Sequence, residues 1–139
     1  MKSYKQIEAI LYNFKDLKAK IENDKLTLKA LQIYESELSA VVYDGIKIQS
    51  NSVSNPTEQE AVKVAAAKSR VENAIEMNEL IVTSIDNAMS TFNDTENAII
   101  ENIYFHKMGN AITADLLGLS RSTLYRMKKA IIHRLRAII

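Results

Sequence analysis

Apolar residues recur at steps of three and four along much of the chain, which places them on one face of an α-helix. Ser3 and Gln6 match a capping box at the start of the first such stretch. Asp24 and Glu35 interrupt its apolar stripe, so a kink or a polar register point is expected there. The pattern predicts one long helix over residues 3 to about 43, with a stripe of Ile7, Ile10, Phe14, Leu17, Ile21, Leu28, Leu31, Leu38 and Val42.

A second long helix is predicted after a polar stretch at residues 44–56. This stretch contains Asp44 and Gly45, a pair that favours a turn, then a run of Ser and Asn before Pro56. Thr57 and Glu60 match another capping box. We therefore predict that residues 1–90 fold as a long antiparallel coiled-coil hairpin with its loop at about 44–56. The second stripe consists of Val64, Val71, Ile75, Val82, Ile85 and Met89.

Three shorter helices are predicted after residue 90. Asn93 and Glu96 form a capping pattern before a short apolar helix. Gly109 suits the position after the end of that helix, and Asn110 can cap a next helix over 111–117. The expected fold class is therefore all-α, with a small tri-helical domain at 91–139 after the hairpin. The apolar residues of the first short helix are Ile99, Ile100, Ile103 and Tyr104.

The segment from Ala114 to Ser120 has the residue pattern of a helix-turn-helix. Ala114 is small where two helices must cross, and Gly118 can take the left-handed conformation of a sharp turn. Leu119 can fill the space between the helices, and Ser120 can cap a last helix over 121 to about 137. The buried stripe predicted for that helix is Leu124, Met127 or Ala130, Ile131 and Leu135.

Positive charge is concentrated at this end of the chain. No Asp or Glu follows Asp115. The formal net charge of the whole chain is +1, so the last segment carries +6 and the rest carries −5. A helix that enters a DNA groove needs such one-sided charge, because each phosphate must be met by a cation. The six bases are Arg121, Arg126, Lys128, Lys129, Arg134 and Arg136.

The last helix therefore supplies the candidate DNA contacts. Residues at the start of a recognition helix reach base edges, and later residues reach phosphates. Arg121 and Arg126 are suited to bidentate contacts with guanine. The alternative is that these residues form only a solvated helix face. For Lys128, Arg134 and Arg136 this alternative fits about as well as DNA contact. Tyr125 could instead pack half-buried on the turn. The candidate residues are Arg121, Ser122, Tyr125 and Arg126 for bases, Ser122 and Thr123 for a phosphate or thymine methyl, and Lys128, Lys129 and Arg136 for the backbone.

Signals for other classes of function are weak. The chain has no Cys, which excludes a disulfide framework, a Cys-based zinc site and thiol catalysis. His106 and His133 lie in different predicted helices without further ligands at metal-binding spacing. Ser120 is a helix cap and lacks the flanks of a nucleophile elbow. We therefore expect no enzymatic activity, no cofactor and no metal, and the absence of a long apolar run predicts no membrane span.

The segment from Phe92 to Arg136 resembles region 4 of bacterial sigma factors. The run from Gly118 to Arg126, followed by Ala130 and the run from Arg134 to Arg136, is similar to the second helix of that region without gaps. The whole layout is similar to phage late-transcription regulators of the ArpU and RinA families, in which a helical N-terminal part precedes such a helix-turn-helix. The runs at 44–47 and 55–58 also look like this group. The resemblance implies control of late phage or prophage genes in the cytoplasm of a bacterial host.

The sequence thus leads to a DNA-binding transcription regulator as the expected function, with promoter DNA as the partner. We also expect the hairpin to join copies of the chain into a homo-oligomer, with a dimer favoured. The alternative role of the hairpin is contact with RNA polymerase. One alternative is a DNA-packaging protein like a small terminase subunit, although the DNA-binding unit usually comes first in those chains. The other is a coiled-coil module that binds a host protein and has no specificity for DNA.

Overall fold

A computed structural model describes residues 1–48 and 56–139, and the side chains of residues 1–40 and 58–139. Over these residues the fold is all-helical, with long helices followed by short ones, and this confirms the predicted fold class. The elements are α1 (Tyr4–Tyr12), α2 (Phe14–Ile48), α3 (Pro56–Met89), α4 (Asp94–Ile100), a π-helical turn (Glu101–Phe105), α5 (Asn110–Leu117) and α6 (Arg121–Ile138).

The predicted single helix over residues 3–43 is interrupted at Asn13. Its first turn is capped as expected, because Ser3 Oγ accepts from the Gln6 amide at 3.2 Å and Gln6 Oε1 accepts from the Ser3 amide at 2.8 Å. Asn13 leaves helical geometry at φ −96° and ψ 5°, as Asn does more readily than most residues. Asp24 and Glu35 both lie within α2, so neither residue ends the helix.

The turn predicted at Asp44 and Gly45 is also wrong, because α2 continues through both residues to Ile48. A single Gly inside a helix costs only about 1 kcal/mol, which does not end a long helix. α3 then begins at Pro56, whose fixed φ suits the first helical position. The rest of the predicted loop, residues 49–55, and the side chain of Thr57 lie outside the described residues.

One compact unit comprises residues 1–19 and 79–139. Its core joins α1, the first turn of α2, the end of α3 and all of the C-terminal elements, and α1 contacts both α6 and the π-helical turn. Burial of this apolar surface away from water is the main stabilising term. The buried residues are Ile7, Leu11, Phe14, Ile85, Ala88, Phe92, Ile99, Ile100, Ile103, Tyr104, Ala114, Leu124, Ile131, Ile132 and Leu135.

The predicted division into a hairpin at 1–90 and a DNA-binding domain at 91–139 therefore needs correction. A segment of the length of residues 91–139 buries a limited share of its surface and is of marginal stability by itself. Ile7 and Leu11 of α1 and Ile85 of α3 are fully buried in the same cluster as the C-terminal helices. The N-terminal residues are thus part of the unit that contains the helix-turn-helix.

The second unit comprises residues 20–78, the greater part of α2 and α3. The two helices contact each other through a hydrogen bond of 3.0 Å from the Tyr34 hydroxyl to Glu60 and an ion pair of 3.4 Å between Lys68 and Glu35. Glu35, for which the sequence indicates a kink or a polar register point, therefore contributes a polar contact between the helices. Among the described side chains of this unit, the buried apolar ones are Ile21, Leu38, Val64 and Ile75.

Among the described residues, the structure contains no helix that combines the length and the apolar character needed to cross a bilayer.

Candidate nucleic-acid interface

The turn between α5 and α6 has the geometry predicted from its residues. Gly118 ends α5 in the left-handed region at φ 66° and ψ 30°. Ser120 caps α6, and its Oγ accepts from the Thr123 amide at 3.2 Å. Ala114 is 2% exposed at the place where the helices cross, and Leu119 packs partly buried against the core. The turn therefore holds the start of α6 in a defined direction.

The entry to α5 differs from the prediction. Gly109, at φ 84° and ψ 168°, is the N-cap of α5, and Asn110 is its first residue rather than its cap. The preceding helix ends with a wider π-helical turn, and Lys107 takes a positive φ of 55° after it. Gly109 suits this position because residues with a side chain rarely adopt its backbone conformation. Thr113 stabilises the first turn through a 2.7 Å bond from Oγ1 to the Gly109 carbonyl.

The inner face of α6 is buried as its apolar spacing predicts. Leu124, Ile131 and Leu135 are at most 1% exposed. Of the two alternatives for the remaining position, Met127 packs against the core and Ala130 is exposed. Ile132, which the prediction omitted, is fully buried as well, because α6 packs against α1 in addition to α4 and α5. A helix held along this whole face presents a fixed outer face.

The first two turns of α6 expose all four of the predicted base-contacting residues. Arg121, Ser122 and Arg126 are exposed, and Tyr125 is 62% exposed, so it does not pack on the turn. Thr123 is half-buried, and its hydroxyl accepts a 2.8 Å bond from Ser120 within the cap. An open groove runs between the starts of α5 and α6 and is lined by Asn110, Ala111, Arg121, Ser122, Leu124 and Tyr125.

Lys128 occupies a different environment from the one predicted for a phosphate contact. Its side chain is only 12% exposed, and its Nζ lies 3.6 Å from Glu8 Oε2. The ammonium group also lies 5.8 Å from the centre of the Tyr104 ring. The charge of Lys128 is therefore balanced inside the fold by α1, and reaching a phosphate would break this pair.

Two further bases near the end of α6 have partners within the protein. Arg136 is half-buried, and its Nε donates to the Lys2 carbonyl at 2.8 Å. Arg134 pairs with Glu96 at 2.6 Å, and its guanidinium lies 4.4 Å from the centre of the Phe92 ring. The backbone contact predicted for Arg136 therefore competes with a contact that fastens the N-terminus to α6. Of the six bases, Arg121, Arg126 and Lys129 are exposed, and within the described residues no contact with another side chain balances them in the way that Glu8 balances Lys128.

The two histidines lie outside this surface and contact other residues singly. His106 Nδ1 lies 3.2 Å from Lys15 Nζ, and the His133 ring is edge-on to Tyr4 with centroids 6.2 Å apart. The described residues include no cluster of three or more His, Asp or Glu side chains arranged to hold a metal ion.

Sequence reasoning did not identify the contact of Tyr104 and Glu8 beneath the recognition helix. Tyr104 is fully buried, and its hydroxyl donates to Glu8 Oε2 at 2.8 Å. Burial and the nearby Glu8 carboxylate raise the pKa of the Tyr104 phenol far above its ordinary value. Asn110, which lines the groove, was expected only as a cap. Neither position stands out in the sequence, because each depends on packing between distant segments.

Comparison of the chain with protein-family models, with curated proteins and with solved structures finds no match. The resemblance to sigma-factor region 4 therefore depends on the residues from Phe92 to Arg136 alone.

Proposed function

We propose that the chain binds double-stranded DNA with the outer face of α6 and regulates transcription. The supporting observation is the exposure of Arg121, Tyr125 and Arg126 at the start of a helix whose inner face is buried. The start of a recognition helix is the part that reaches base edges in the major groove. The capped turn at Gly118 and Ser120 supports the proposal, because it fixes the direction in which these side chains point.

The residues then divide by the contacts they can make. The guanidinium groups of Arg121 and Arg126 suit guanine, which offers two acceptors in the major groove. Ser122 and Tyr125 stand beside them at the groove between α5 and α6. Lys129 lies one turn further along α6 and is exposed, so it suits a phosphate. Lys128 and Arg136 are left out of the proposed contacts because they have partners within the fold.

The biological setting is a narrower proposal, which depends on the resemblance to the ArpU and RinA families. In this setting the protein acts without a chemical step, as an activator of late phage or prophage genes in a bacterial cell. Contact with RNA polymerase is a further prediction of the resemblance.

Selection of bound duplexes from a random DNA pool, followed by affinity measurements on the enriched site, tests the proposal. Arg121→Ala or Arg126→Ala should weaken binding to that site by about 5- to 150-fold, the equivalent of ~1–3 kcal/mol. Lys129→Ala should weaken binding to the enriched site and binding to random DNA to the same extent. Arg70→Ala removes an exposed base from α3 and serves as the matched control. Failure to enrich any sequence, or equal losses for all four variants, would contradict the proposal.

A further inference from the structure

Helix α2 carries a second apolar stripe that the second unit does not bury. Leu26 is 65% exposed and Ile33 is 54% exposed, and Ala30 lies exposed between them. Leu26 and Ile33 are seven residues apart, about two helical turns, so they lie one above the other on one face. Such a repeat is typical of the seam between two helices of a coiled coil.

This stripe lies on the side of α2 opposite to the residues that pack within the unit. Each residue turns an α-helix by about 100°, so Leu26 lies roughly 140° from Ile21 and about 160° from Leu28. Ile21 is buried and Leu28 is half-buried. Tyr34 and Glu35 of α2 contact α3. These contacts leave the stripe of Leu26, Ala30 and Ile33 uncovered.

Two opposite charges lie along one edge of this stripe. Glu22 lies four residues before Leu26, and Lys29 lies three residues after it. They are also seven residues apart, so both follow the same edge of the helix. Glu22 and Lys29 are both exposed. The Glu22 side chain is 73% exposed and forms an ion pair of 3.4 Å with Lys25 of the same helix. An exposed pair of this kind contributes little stability and can be exchanged for another.

We propose that this stripe is a docking surface for a second copy of the chain, in antiparallel orientation about a two-fold axis near Leu26. In an antiparallel pair the same edges of the two helices face each other, so Glu22 meets the partner's Lys29, and Lys29 meets the partner's Glu22. Leu26 then packs against the partner's Leu26, and the small Ala30 lets the helices approach closely. The surface is self-complementary, as a two-fold interface requires.

The charges also select the orientation. A parallel pair would set the edge of Glu22 and Lys29 against the other edge of the partner helix, which carries Asn23 and Ala30. Neither charge would then face an opposite one. Charges at the rim of an interface set register and orientation more than they set affinity. The antiparallel pair is therefore the arrangement that the sequence of this edge favours. This inference goes beyond DNA binding and does not depend on it.

Sedimentation equilibrium of the full chain without DNA tests the surface. We expect a dimer that Leu26→Asp converts to a monomer, whereas Leu80→Asp, at a Leu that is 59% exposed on α3, leaves it dimeric. Circular dichroism should show the same helix content in both variants. A monomeric wild type, or a dimer that Leu80→Asp disrupts and Leu26→Asp does not, would overturn the proposal.

Charge reversal tests the pairing itself. Glu22→Lys or Lys29→Glu alone converts two attractive contacts of the dimer into repulsive ones, so each should raise the dimer dissociation constant about tenfold. The double variant restores opposite charges across the interface and should return to within about threefold of the wild type. If the effects of the two single variants simply add in the double variant, the proposed pairing is wrong.

The orientation can be tested by disulfide formation, because the chain has no Cys of its own. Leu26→Cys lies next to the two-fold axis and should form a covalent dimer on mild oxidation with copper-phenanthroline. Ile33→Cys should not, because in an antiparallel pair the two copies of residue 33 lie about 21 Å apart along the helices. Efficient crosslinking of both variants would indicate a parallel pair, and crosslinking of neither would rule out the docking surface.

Discussion

The hydroxyl of Tyr104 donates a 2.8 Å hydrogen bond to the carboxylate of Glu8, a residue 96 positions earlier in the chain. The same carboxylate oxygen lies 3.6 Å from Lys128 Nζ on α6. Glu8 therefore connects α1 at once to the buried π-helical turn and to the proposed recognition helix. The N-terminal helix thus supports the orientation of α6 by polar contacts as well as by apolar packing.

Removal of the Tyr104 hydroxyl should destabilise the protein without disturbing its packing. Tyr104→Phe keeps the buried ring and loses one hydrogen bond to a charged group, so we expect the free energy of unfolding to fall by about 1.5–3 kcal/mol. Urea denaturation followed by circular dichroism measures the change. Tyr125→Phe is the matched control, because Tyr125 is 62% exposed and should be neutral within about 0.5 kcal/mol. Equal effects of the two variants would show that the bond contributes nothing.

The same residue should make the stability sensitive to alkaline pH. Burial and the Glu8 carboxylate raise the pKa of Tyr104 in the folded state above its value of about 10 in the unfolded chain. The folded protein therefore retains a proton that the unfolded chain loses, and the stabilisation is complete below about pH 10 and declines above it. The loss attributable to Tyr104 should be about 1.4 kcal/mol per pH unit.

Comparison of wild type and Tyr104→Phe between pH 9 and 11 isolates this contribution, because the other titrating groups are common to both proteins. We expect the difference in unfolding free energy to shrink as the pH rises. Parallel stability curves for the two proteins over that range would be inconsistent with a buried Tyr104 phenol.

Lys128 and Lys129 are adjacent in sequence and should differ in their effect on DNA binding. Lys129 is exposed, so Lys129→Ala should reduce the dependence of log affinity on log salt by about one phosphate contact. Lys128 is 12% exposed and paired with Glu8, so Lys128→Ala should leave that slope unchanged and lower the stability instead. Titrations at several salt concentrations measure the slopes. A larger slope change for Lys128 would mean that it leaves Glu8 on binding.

Gly118 should tolerate Asn better than Ala. Its φ of 66° and ψ of 30° lie in the left-handed region, and a Cβ there meets no heavy atom within 4 Å. The cost of Gly118→Ala is therefore backbone strain alone, about 1–2 kcal/mol. Asn adopts this conformation more easily, so Gly118→Asn should recover a part of the loss. Thermal or urea denaturation decides the order, and equal stability of the two variants would contradict the explanation by backbone strain.

The local signals of the sequence predicted much of the helix-turn-helix correctly. The caps at Ser3, Asn93 and Ser120 and the left-handed Gly118 all appear where their residue types indicate. These features depend on contacts within about four residues, which a sequence displays directly. The turn at Asp44 and Gly45 failed for a related reason, since a local preference of about 1 kcal/mol yields to a helix that is favoured on both sides.

The candidate interface was predictable only in part. The exposure of Arg126 follows from the apolar period of α6, which places it opposite Leu124 and Ile131. Arg121 lies only about 60° around the helix from Leu124 and is exposed in the first turn of α6. The pairing of Lys128 with Glu8 has no counterpart in the local pattern. A run of bases looks uniform in a sequence, and only a distant partner distinguishes a free charge from a balanced one.

By itself, then, the sequence determined the helical class, the turn and cap that precede α6, and the face of α6 that is buried. These properties follow from short-range sterics, hydrogen bonding and periodicity. Tertiary structure alone decided that α1 and the end of α3 complete the core around the helix-turn-helix, and that Glu8 neutralises Lys128. The contacts of α1 with the C-terminal helices, and the pairing of Glu8 with Lys128, join residues more than 70 positions apart. Their energies come from burial and charge pairing that exist only once the helices have packed.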